Sequence, residues 1–215
     1  MKQFLLINVS PRKNGTSAML LNMCREHLAG KGHCTQMMHL YPHLGDLSEI
    51  VKAAEEADVI VFSGSCYVNT YPADAYALLQ ALAASKEALN GKQVYGIIQG
   101  GMPYAHTHES GLTALELFSR QCGLNYMGGF VMGMGAMLNG QPLEKLINGK
   151  KVAKQLNIFF DHMEKGEASP RQVYQAAQLR LPVIVWRFMA RWMNKKVDRD
   201  LASRGIDVHQ VSPYL

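Results

Sequence analysis

The sequence has few cysteines and no C-x-x-C pair, so it lacks the local spacing of zinc and iron–sulfur sites. Its four cysteines, Cys24, Cys34, Cys66 and Cys122, are scattered along 215 residues. A chain of this length can bury a sizeable core without disulfides. We therefore expect all four cysteines to be reduced thiols.

Charged residues are also scarce, at 18% of the chain, whereas hydrophobic residues make up 48%. This balance is ordinary for a globular protein and excludes a disordered one. The formal net charge is only +5, which suits a phosphate-bearing ligand or an anionic surface. It gives no reason to expect nucleic acid as a partner.

The N-terminal segment lacks the features of a signal peptide. Its apolar run from Phe4 to Val9 is short, and Ser10-Pro11-Arg12-Lys13 follows where a small-residue cleavage site would stand. We interpret the run as a first strand and expect the protein to remain in the cytoplasm.

Short apolar runs alternate five times with segments of helical spacing. Such runs are typical of strands that are buried on both faces of a parallel sheet. The alternation therefore predicts a doubly wound α/β fold with five parallel strands. The predicted strands are 4–9, 34–40, 59–62, 94–98 and 126–132, and the predicted helices are 16–28, 47–57, 73–89, 110–122 and 143–163.

Four loops follow strands in this pattern and have unusual compositions. They are the first loop (10–17), the second loop (64–72), the third loop (99–109) and the fourth loop (133–141). Right-handed crossovers bring the carboxyl ends of parallel strands to one edge of the sheet. We therefore expect the four loops to converge on a single ligand site.

The pattern changes near Lys165, and residues 166–170 are typical of a linker. We predict a core domain over 1–163 and a C-terminal helical extension over 164–215.

The extension contains an amphipathic helix, predicted over 181–196. Apolar residues, including both tryptophans of the protein, cover most of it, and Arg180, Arg187, Arg191 and Lys195 share one face. The helix is too short and too charged to span a bilayer. It could pack on its own core or across a dimer interface, or segment 179–197 could lie on an anionic membrane surface.

The first loop has the composition of a phosphate site. Three hydroxyls, an amide, a guanidinium and backbone N–H groups lie within eight residues, before a helix that starts near Thr16. These donors suit a phosphate at a helix N-terminus, and Gly15 allows a positive φ. An ordinary capped turn is the alternative, but capping needs one hydroxyl. The G-x-x-x-x-G-K-[ST] and G-x-G-x-x-G motifs are absent here, so we expect a single phosphate.

Two further segments suit a flat aromatic ligand. Segment 63–72 carries Tyr67 and Tyr71 with serines and a glycine, which can contact ring faces and polar ring edges. The alternative is that the tyrosines merely cover the end of the sheet. The Gly100-Gly101 pair lets backbone approach a ligand, unless it is a plain glycine turn.

The first loop resembles the Gly-Ser-Pro-Arg-x-x-Gly-Asn-Thr loop of the NAD(P)H-dependent FMN reductase family. Here it is Ser-Pro-Arg-Lys-Asn-Gly-Thr-Ser, with Val9 in place of the family's usual glycine. The family also tends to have Pro-x-Tyr after the third strand and a proline at the next helix start. Ser65-Cys66-Tyr67 and Tyr71-Pro72 stand there, with Ser65 in place of proline. The resemblance covers about residues 2–163 and implies a flavodoxin-like fold.

The resemblance also implies which residues hold the FMN cofactor. The phosphate would be held by Ser10, Arg12, Asn14, Thr16 and Ser17, together with Gly15 in the same loop. The isoalloxazine ring would lie along Cys66, Tyr67, Val68 and Asn69, and its far edge would meet Gln99, Gly100, Gly101 and Met102. The four-cysteine cluster found in some family members has no counterpart here, so we expect no iron–sulfur cluster.

The function implied by the resemblance is an FMN-dependent NAD(P)H oxidoreductase that passes hydride from NADPH or NADH through FMN to a small acceptor such as a quinone or flavin. Related reductases are often dimers, so a homodimer is expected. No side chain has to act as acid or base in the hydride step, so no catalytic residue is assigned. The alternative is a flavodoxin-type electron carrier. Such carriers are strongly acidic where they dock, whereas this chain is net basic.

Two side-chain groups near the proposed site receive no special role. His106, His108 and Glu109 form a weak metal signal, and we favour a solvated loop or substrate-facing histidines, with no metal. Cys66 is expected to be an unreactive thiol. The sequence leaves open the acceptor and the choice between NADH and NADPH.

Overall fold

The computed structural model describes residues 1–179 and 182–206, and the chain divides into two compact units, Met1–Leu179 and Arg180–Leu215. The strands are β1 (Gln3–Asn8), β2 (Cys34–His39), β3 (Val59–Ser65), β4 (Gln93–Gln99) and β5 (Asn125–Met132). The helices of the first unit are α1 (Thr16–Gly30), α2 (Ser48–Glu56), α3 (Ala73–Ala84), α4 (Lys86–Leu89), α5 (Ser110–Gln121), α6 (Gly149–Lys165) and α7 (Arg171–Ala177). The second unit contains α8 (Val183–Ser203).

The five strands form one parallel sheet in the order β2-β1-β3-β4-β5. This is the doubly wound, flavodoxin-like arrangement, and it confirms the predicted fold class. Strands β1, β3 and β4 are buried along almost their whole length because helices cover both faces. Strand β2 is more exposed, with Met38 as its one buried residue, as expected for an edge strand.

The helices lie in two layers around the sheet. Helices α1 and α6 pack together on one face, and α2 packs with α3 and α4. Right-handed crossovers place α2, α3 and α5 on the face opposite α1, with α5 over β4 and β5. The strand order reverses at β1 and β3, so the crevice for a ligand lies beyond their carboxyl ends.

Two helical segments differ from the predicted ones. The predicted helix 73–89 is interrupted at Ser85, where the chain turns so that Leu89 is fully buried in the core. The predicted helix 143–163 begins only at Gly149, after a single 3-10 turn over Leu143–Lys145. A Cβ at Gly149 would lie 1.9 Å from the carbonyl oxygen of Leu143, so this close turn requires a glycine.

Residues 166–170, predicted as a linker, pair with the edge of the sheet. The Ser169 N–H donates to the carbonyl of Met127 at 2.8 Å, and Ser169 forms a bridge with Gly128 of β5. Helix α7 then packs on α6 and β5. The first compact unit therefore extends past the predicted boundary at 163 and includes α7.

The second unit contains the predicted amphipathic helix. In α8, Arg187, Arg191 and Lys195 lie on one side, apolar residues cover most of the remaining surface up to Met193, and residues 194–200 are mostly polar or charged. The helix continues to Ser203, beyond the predicted end at 196. Its predicted start, Leu181, and the basic residue Arg180 lie outside the described residues.

Candidate functional site

The four loops converge at the carboxyl end of the sheet, as predicted. Together they line one cleft of about 200 Å³. The residues that line it are Ser10, Arg12, Gly15, Thr16, Ser65, Cys66, Tyr67, Gln99, Gly100, Gly101, Ala136 and Asn139. None of these described lining residues is acidic, whereas Arg12 is cationic. The cleft therefore favours an anionic ligand.

The first loop supplies backbone donors at the start of α1. The N–H groups of Lys13, Asn14, Thr16, Ser17 and Ala18 donate to no acceptor among the residues that the structure describes. Such free N–H groups at the N-terminus of a fifteen-residue helix are suited to a phosphate.

Gly15 does not use the positive φ that a glycine allows. Its φ is −84°. A Cβ at this position would lie 3.1 Å from the Cβ of Arg12, because the loop folds tightly and the Gly15 N–H donates to the Arg12 carbonyl at 3.3 Å. The glycine therefore fits the loop by its small size.

Thr16 joins the first loop to the fourth. Its hydroxyl donates to the carbonyl of Gly135 at 2.8 Å and accepts from the N–H of Gly140 at 3.2 Å. Gly140 has a φ of +83°, and a Cβ there would lie 2.3 Å from the Asn14 carbonyl oxygen. The close contact between the two loops therefore depends on a glycine at 140.

Polar side chains from three loops form a chain of hydrogen bonds at the base of the cleft. The Ser10 and Ser65 hydroxyls lie 3.0 Å apart, and the Gln99 amide donates to Ser65 at 2.8 Å. The same amide donates to the hydroxyl of Ser17 at 3.3 Å. Ser17 is 0% exposed, so its hydroxyl supports Gln99 from below and does not line the cleft.

The oxygen of the Gln99 side-chain amide is an unused acceptor. This Oε1 is buried and has no hydrogen-bond partner among the described residues. A buried acceptor of this kind is costly unless a donor reaches it. A Cβ at Gly135 would lie 2.7 Å from this oxygen, so a glycine is needed beside it.

Arg12 lies at the exposed side of the cleft. Its Nη1 donates to the Oδ1 of Asn139 at 2.8 Å. Asn139 belongs to the fourth loop and has a φ of +49°, a left-handed conformation that asparagine tolerates better than most residues. The pair holds the guanidinium at the rim.

The two glycines of the third loop have different surroundings. A Cβ at Gly100 would lie 2.3 Å from the Cε1 of His108, whereas a Cβ at Gly101 would meet Ala136 at an ordinary 3.8 Å. His108 is only 3% exposed, so the expectation of a solvated side chain is wrong for it. Its Nε2 lies 3.1 Å from the carbonyl of Met102, which also accepts from Met134 of the fourth loop.

The second loop contains a tight turn. Tyr67 and Thr70 exchange two backbone hydrogen bonds, and the intervening Val68 and Asn69 have φ angles of +48° and +68°. A β-branched residue is strained at positive φ, and Val68 is 97% exposed. Strain of this kind is common at ligand sites, where other contacts maintain it.

Tyr71 belongs to the core rather than the cleft. It is buried, and its hydroxyl donates to the carbonyl of Ile97 at 3.1 Å. For this residue the alternative reading, that it covers the sheet, is the one the structure supports. Tyr67 is half exposed and lines the cleft.

Cys66 lies in the cleft as a thiol. Burial raises its pKa, although a hydrogen bond from the Asn69 backbone opposes the shift. Its Sγ donates to the carbonyl of Thr107 at 3.7 Å. A thiol with a raised pKa is poorly nucleophilic at neutral pH, which agrees with the expected unreactive thiol.

The predicted site residues fall into two groups. Ser10, Arg12, Gly15, Thr16, Cys66, Tyr67, Gln99, Gly100 and Gly101 line the common cleft. Asn14, Ser17, Val68, Asn69 and Met102 do not line it, although all five belong to the loops that do. The side chains of Asn14, Val68, Asn69 and Met102 are exposed near its edges.

Three lining residues were not predicted: Ser65, Ala136 and Asn139. Ser65 was noted only as a departure from the family pattern. Ala136 and Asn139 lie in the fourth loop, which was expected to converge on the site but was given no contacts. The Asn139-Gly140 pair was the available signal, because this dipeptide favours a tight turn.

Among residues 1–179 and 182–206, no group of three or more His, Cys, Asp or Glu side chains could hold a metal ion. Within the same residues, no helix combines the length and the hydropathy that a bilayer span requires.

The strand order and the cleft at the carboxyl end of the sheet are those of a flavodoxin-like protein. The chain matches the model of the family described as NADPH-dependent FMN reductase over residues 3–137, which is more than half of its length. It therefore belongs to the NADPH-dependent FMN reductase family. Membership makes it an FMN-dependent oxidoreductase, with FMN as cofactor and NAD(P)H as electron donor.

Solved structures agree on the fold. The apo form of an NADH:FMN oxidoreductase has a TM-score of 0.63 and 24% identity, over 81% of this chain and 94% of that one. A short-chain flavodoxin associated with a bacterial microcompartment has a TM-score of 0.56 and 15% identity, over 79% and 100%. An NADPH-quinone reductase from P. pentosaceus has a TM-score of 0.55 and 13% identity, over 76% and 98%. No curated protein matches the sequence.

Proposed function

We propose that this chain is an FMN-dependent oxidoreductase that takes electrons from NADH or NADPH and delivers them to a small acceptor such as a quinone or a flavin. The observation that carries the proposal is the cleft itself. Four loops meet there around free N–H donors and Arg12, without a carboxylate among the described lining residues.

The residues of the cleft fit FMN in two respects. The free N–H groups of the first loop and Arg12 provide the donors that a phosphate dianion needs. The buried Oε1 of Gln99 is an acceptor with no donor among the described residues, and the isoalloxazine edge carries an N–H group. When bound, FMN supplies the redox chemistry.

The roles proposed for individual residues follow from these positions. Ser10, Arg12 and the free N–H groups of the first loop and the start of α1 hold the phosphate. Gln99 and the backbone of Gly101 orient the edge of the ring, since the Gly101 N–H has no acceptor among the described residues. Tyr67 and Cys66 limit the access of water on the side of the second loop.

An electron carrier of the flavodoxin type is the second candidate function. It would use the same cofactor site, but it would need a protein surface suited to a redox partner. The net charge of +5 and the lack of carboxylates at the described cleft favour small anionic or neutral reactants over a basic docking partner.

The enzyme and the electron carrier can be distinguished by measuring whether the purified protein oxidises NADH or NADPH. Purified protein loaded with FMN should oxidise NADH or NADPH in air, and faster when a soluble quinone is added, as followed by the loss of nicotinamide absorbance. A carrier would keep its flavin oxidised and consume neither nucleotide until a separate reductase was supplied. That result would contradict the enzyme.

The assembly proposed for the full chain is a homodimer. Helix α8, taken alone, has an apolar side that includes Phe188 and Trp192 and a basic side that includes Arg187 and Arg191. A contiguous apolar surface with large side chains such as these is normally covered in a protein that stays in solution. We assign a second subunit as the partner of α8, in a cytoplasmic protein, and contact with an anionic membrane through 179–197 is the competing assignment.

A further inference from the structure

Asn8, the last residue of β1, organises the backbone of the first loop. Its side chain is 0% exposed and lies directly beneath the loop. Its Oδ1 accepts from the N–H of Ser10 at 3.0 Å, and its Nδ2 donates to the carbonyl of Arg12 at 3.3 Å. One amide therefore holds both the first and the third residue of the loop.

These two contacts fix the orientation of the Asn8 amide. A backbone N–H can only donate and a backbone carbonyl can only accept, so the oxygen of Asn8 must face Ser10 and the nitrogen must face Arg12. A rotated amide would oppose donor to donor at Ser10 and acceptor to acceptor at Arg12. The orientation of the amide thus follows from the chemistry of its two backbone partners.

The second hydrogen of the Asn8 amide points to His39, the last residue of β2. The distance from Asn8 Nδ2 to His39 Nδ1 is 3.0 Å. Because Asn8 is the donor, Nδ1 of His39 must be unprotonated and accept. His39 is therefore neutral in this arrangement, with its proton on Nε2.

The surroundings of His39 favour this neutral form. Burial first, and then the positive charge of Lys13, lower the pKa of His39 below its ordinary value. The charged groups that line the same groove as His39 are Lys13 of the first loop and Arg25 and Glu26 of α1.

We propose that Asn8 and His39 are positioning residues for the phosphate loop, and that protonation of His39 weakens FMN binding by opposing the Asn8 amide. The inference rests on the proposed function of the first loop. A protonated Nδ1 would place a donor 3.0 Å from the donor Nδ2. The Asn8 amide has no alternative orientation, so the repulsion weakens its hydrogen bonds to the Ser10 N–H and the Arg12 carbonyl.

The sign of the pH dependence follows directly. The folded state prefers neutral His39, so protons bind to the unfolded chain first as the pH falls below the ordinary histidine pKa, and folding is weakened. FMN affinity falls at lower pH, as the pH passes downwards through the lowered pKa of His39 in the folded protein. A bound phosphate attracts the protonated form and reduces the effect, but it cannot restore the lost hydrogen bond.

Two variants of similar size separate positioning from packing. His39→Asn places an amide oxygen two bonds from Cβ, where Nδ1 stands, and keeps an acceptor that does not titrate. His39→Leu fills the space without an acceptor. FMN and riboflavin are titrated into wild type and both variants by flavin fluorescence at about pH 8 and about pH 5, on either side of the ordinary histidine pKa. Thermal melting of each protein checks folding.

The expected result is a difference between the variants. At about pH 8, His39→Asn binds FMN like wild type, whereas His39→Leu binds it about threefold or more weakly, as loss of one neutral hydrogen bond predicts. At about pH 5 wild type binds FMN more weakly than His39→Asn does. The ionisation of the FMN phosphate changes with pH in the same way for both proteins, so it does not account for the difference. Riboflavin affinity changes little in any of them.

Two outcomes would overturn the inference in different ways. If FMN is preferred to riboflavin but both variants follow wild type at both pH values, His39 has no positioning role and the proposed function stands. If wild type shows no preference for FMN over riboflavin, the phosphate loop is misassigned, and the inference fails with the proposed function.

Discussion

The two adjacent glycines of the third loop have different reasons to be glycine. The third loop lines the cleft at both positions, but only Gly100 is packed against a buried ring. A side chain at Gly100 would overlap His108, whereas a side chain at Gly101 would enter the space beside Ala136. Adding a side chain at each position therefore separates folding from flavin binding.

We predict that Gly101→Val leaves the melting temperature nearly unchanged and lowers FMN affinity at least about tenfold, which is about 1.4 kcal/mol of binding free energy. Gly100→Ala should instead lower the melting temperature, because overpacking a buried site costs about 1–3 kcal/mol. Flavin titration and thermal melting of both variants check this. A Gly101→Val protein with full FMN affinity would show that position 101 does not face the ring.

At the scale of single residues, the sequence predicts the chemistry of the site better than its contacts. The donors of the first loop were identified because hydroxyl, amide and guanidinium groups are visible in the sequence. The unpartnered Oε1 of Gln99 and the burial of His108 were not predicted, because both depend on how loops from different parts of the chain pack together. The sequence shows that Gly15 allows a positive φ, but not that the position uses the small size of glycine, beside Arg12, at a φ of −84°.

At the scale of elements, α7 belongs with the sheet and α8 with the second unit. Helix α7 contributes Tyr174, which is buried and donates to Glu109 at 2.9 Å. A truncation meant to test α8 must therefore keep α7 and end after Leu179.

We predict that the full-length chain is a dimer by light scattering and that the chain ending at Leu179 is a monomer with an intact flavin site. A chain ending at Ser169, which lacks α7, is the control and should melt earlier because Tyr174 and its neighbours are lost. Anionic vesicles are added to the full-length protein in parallel. A full-length protein that is monomeric and does not bind the vesicles would contradict both the dimer and the membrane assignment.

The strands were predictable because strands buried on both faces leave continuous apolar runs, as in β1, β3 and β4. The break at Ser85 was not predictable, since the apolar spacing of segment 73–89 continues through this residue. The pairing of Ser169 with β5 was also invisible, because a Ser-Pro sequence after a glycine is equally typical of a linker.

At the scale of the whole molecule, the parallel order of the strands determines where the site must be. Loops that are far apart in sequence meet because each follows the carboxyl end of a strand. This rule predicted the convergence of the four loops, although it could not specify which side chains would line the cleft. The link from Thr16 to Gly135 and Gly140 shows how two of these loops hold each other in place.

The central claim is that the first loop binds the phosphate of FMN. The most direct test is to titrate FMN and riboflavin into wild type, Arg12→Ala and Lys13→Ala, the last being a neighbouring cation that does not line the cleft. Wild type should bind FMN far more tightly than riboflavin. Arg12→Ala should lose about 1.5–3 kcal/mol of FMN binding and no riboflavin binding, whereas Lys13→Ala should lose little of either. Equal dissociation constants of wild type for FMN and riboflavin would contradict the account.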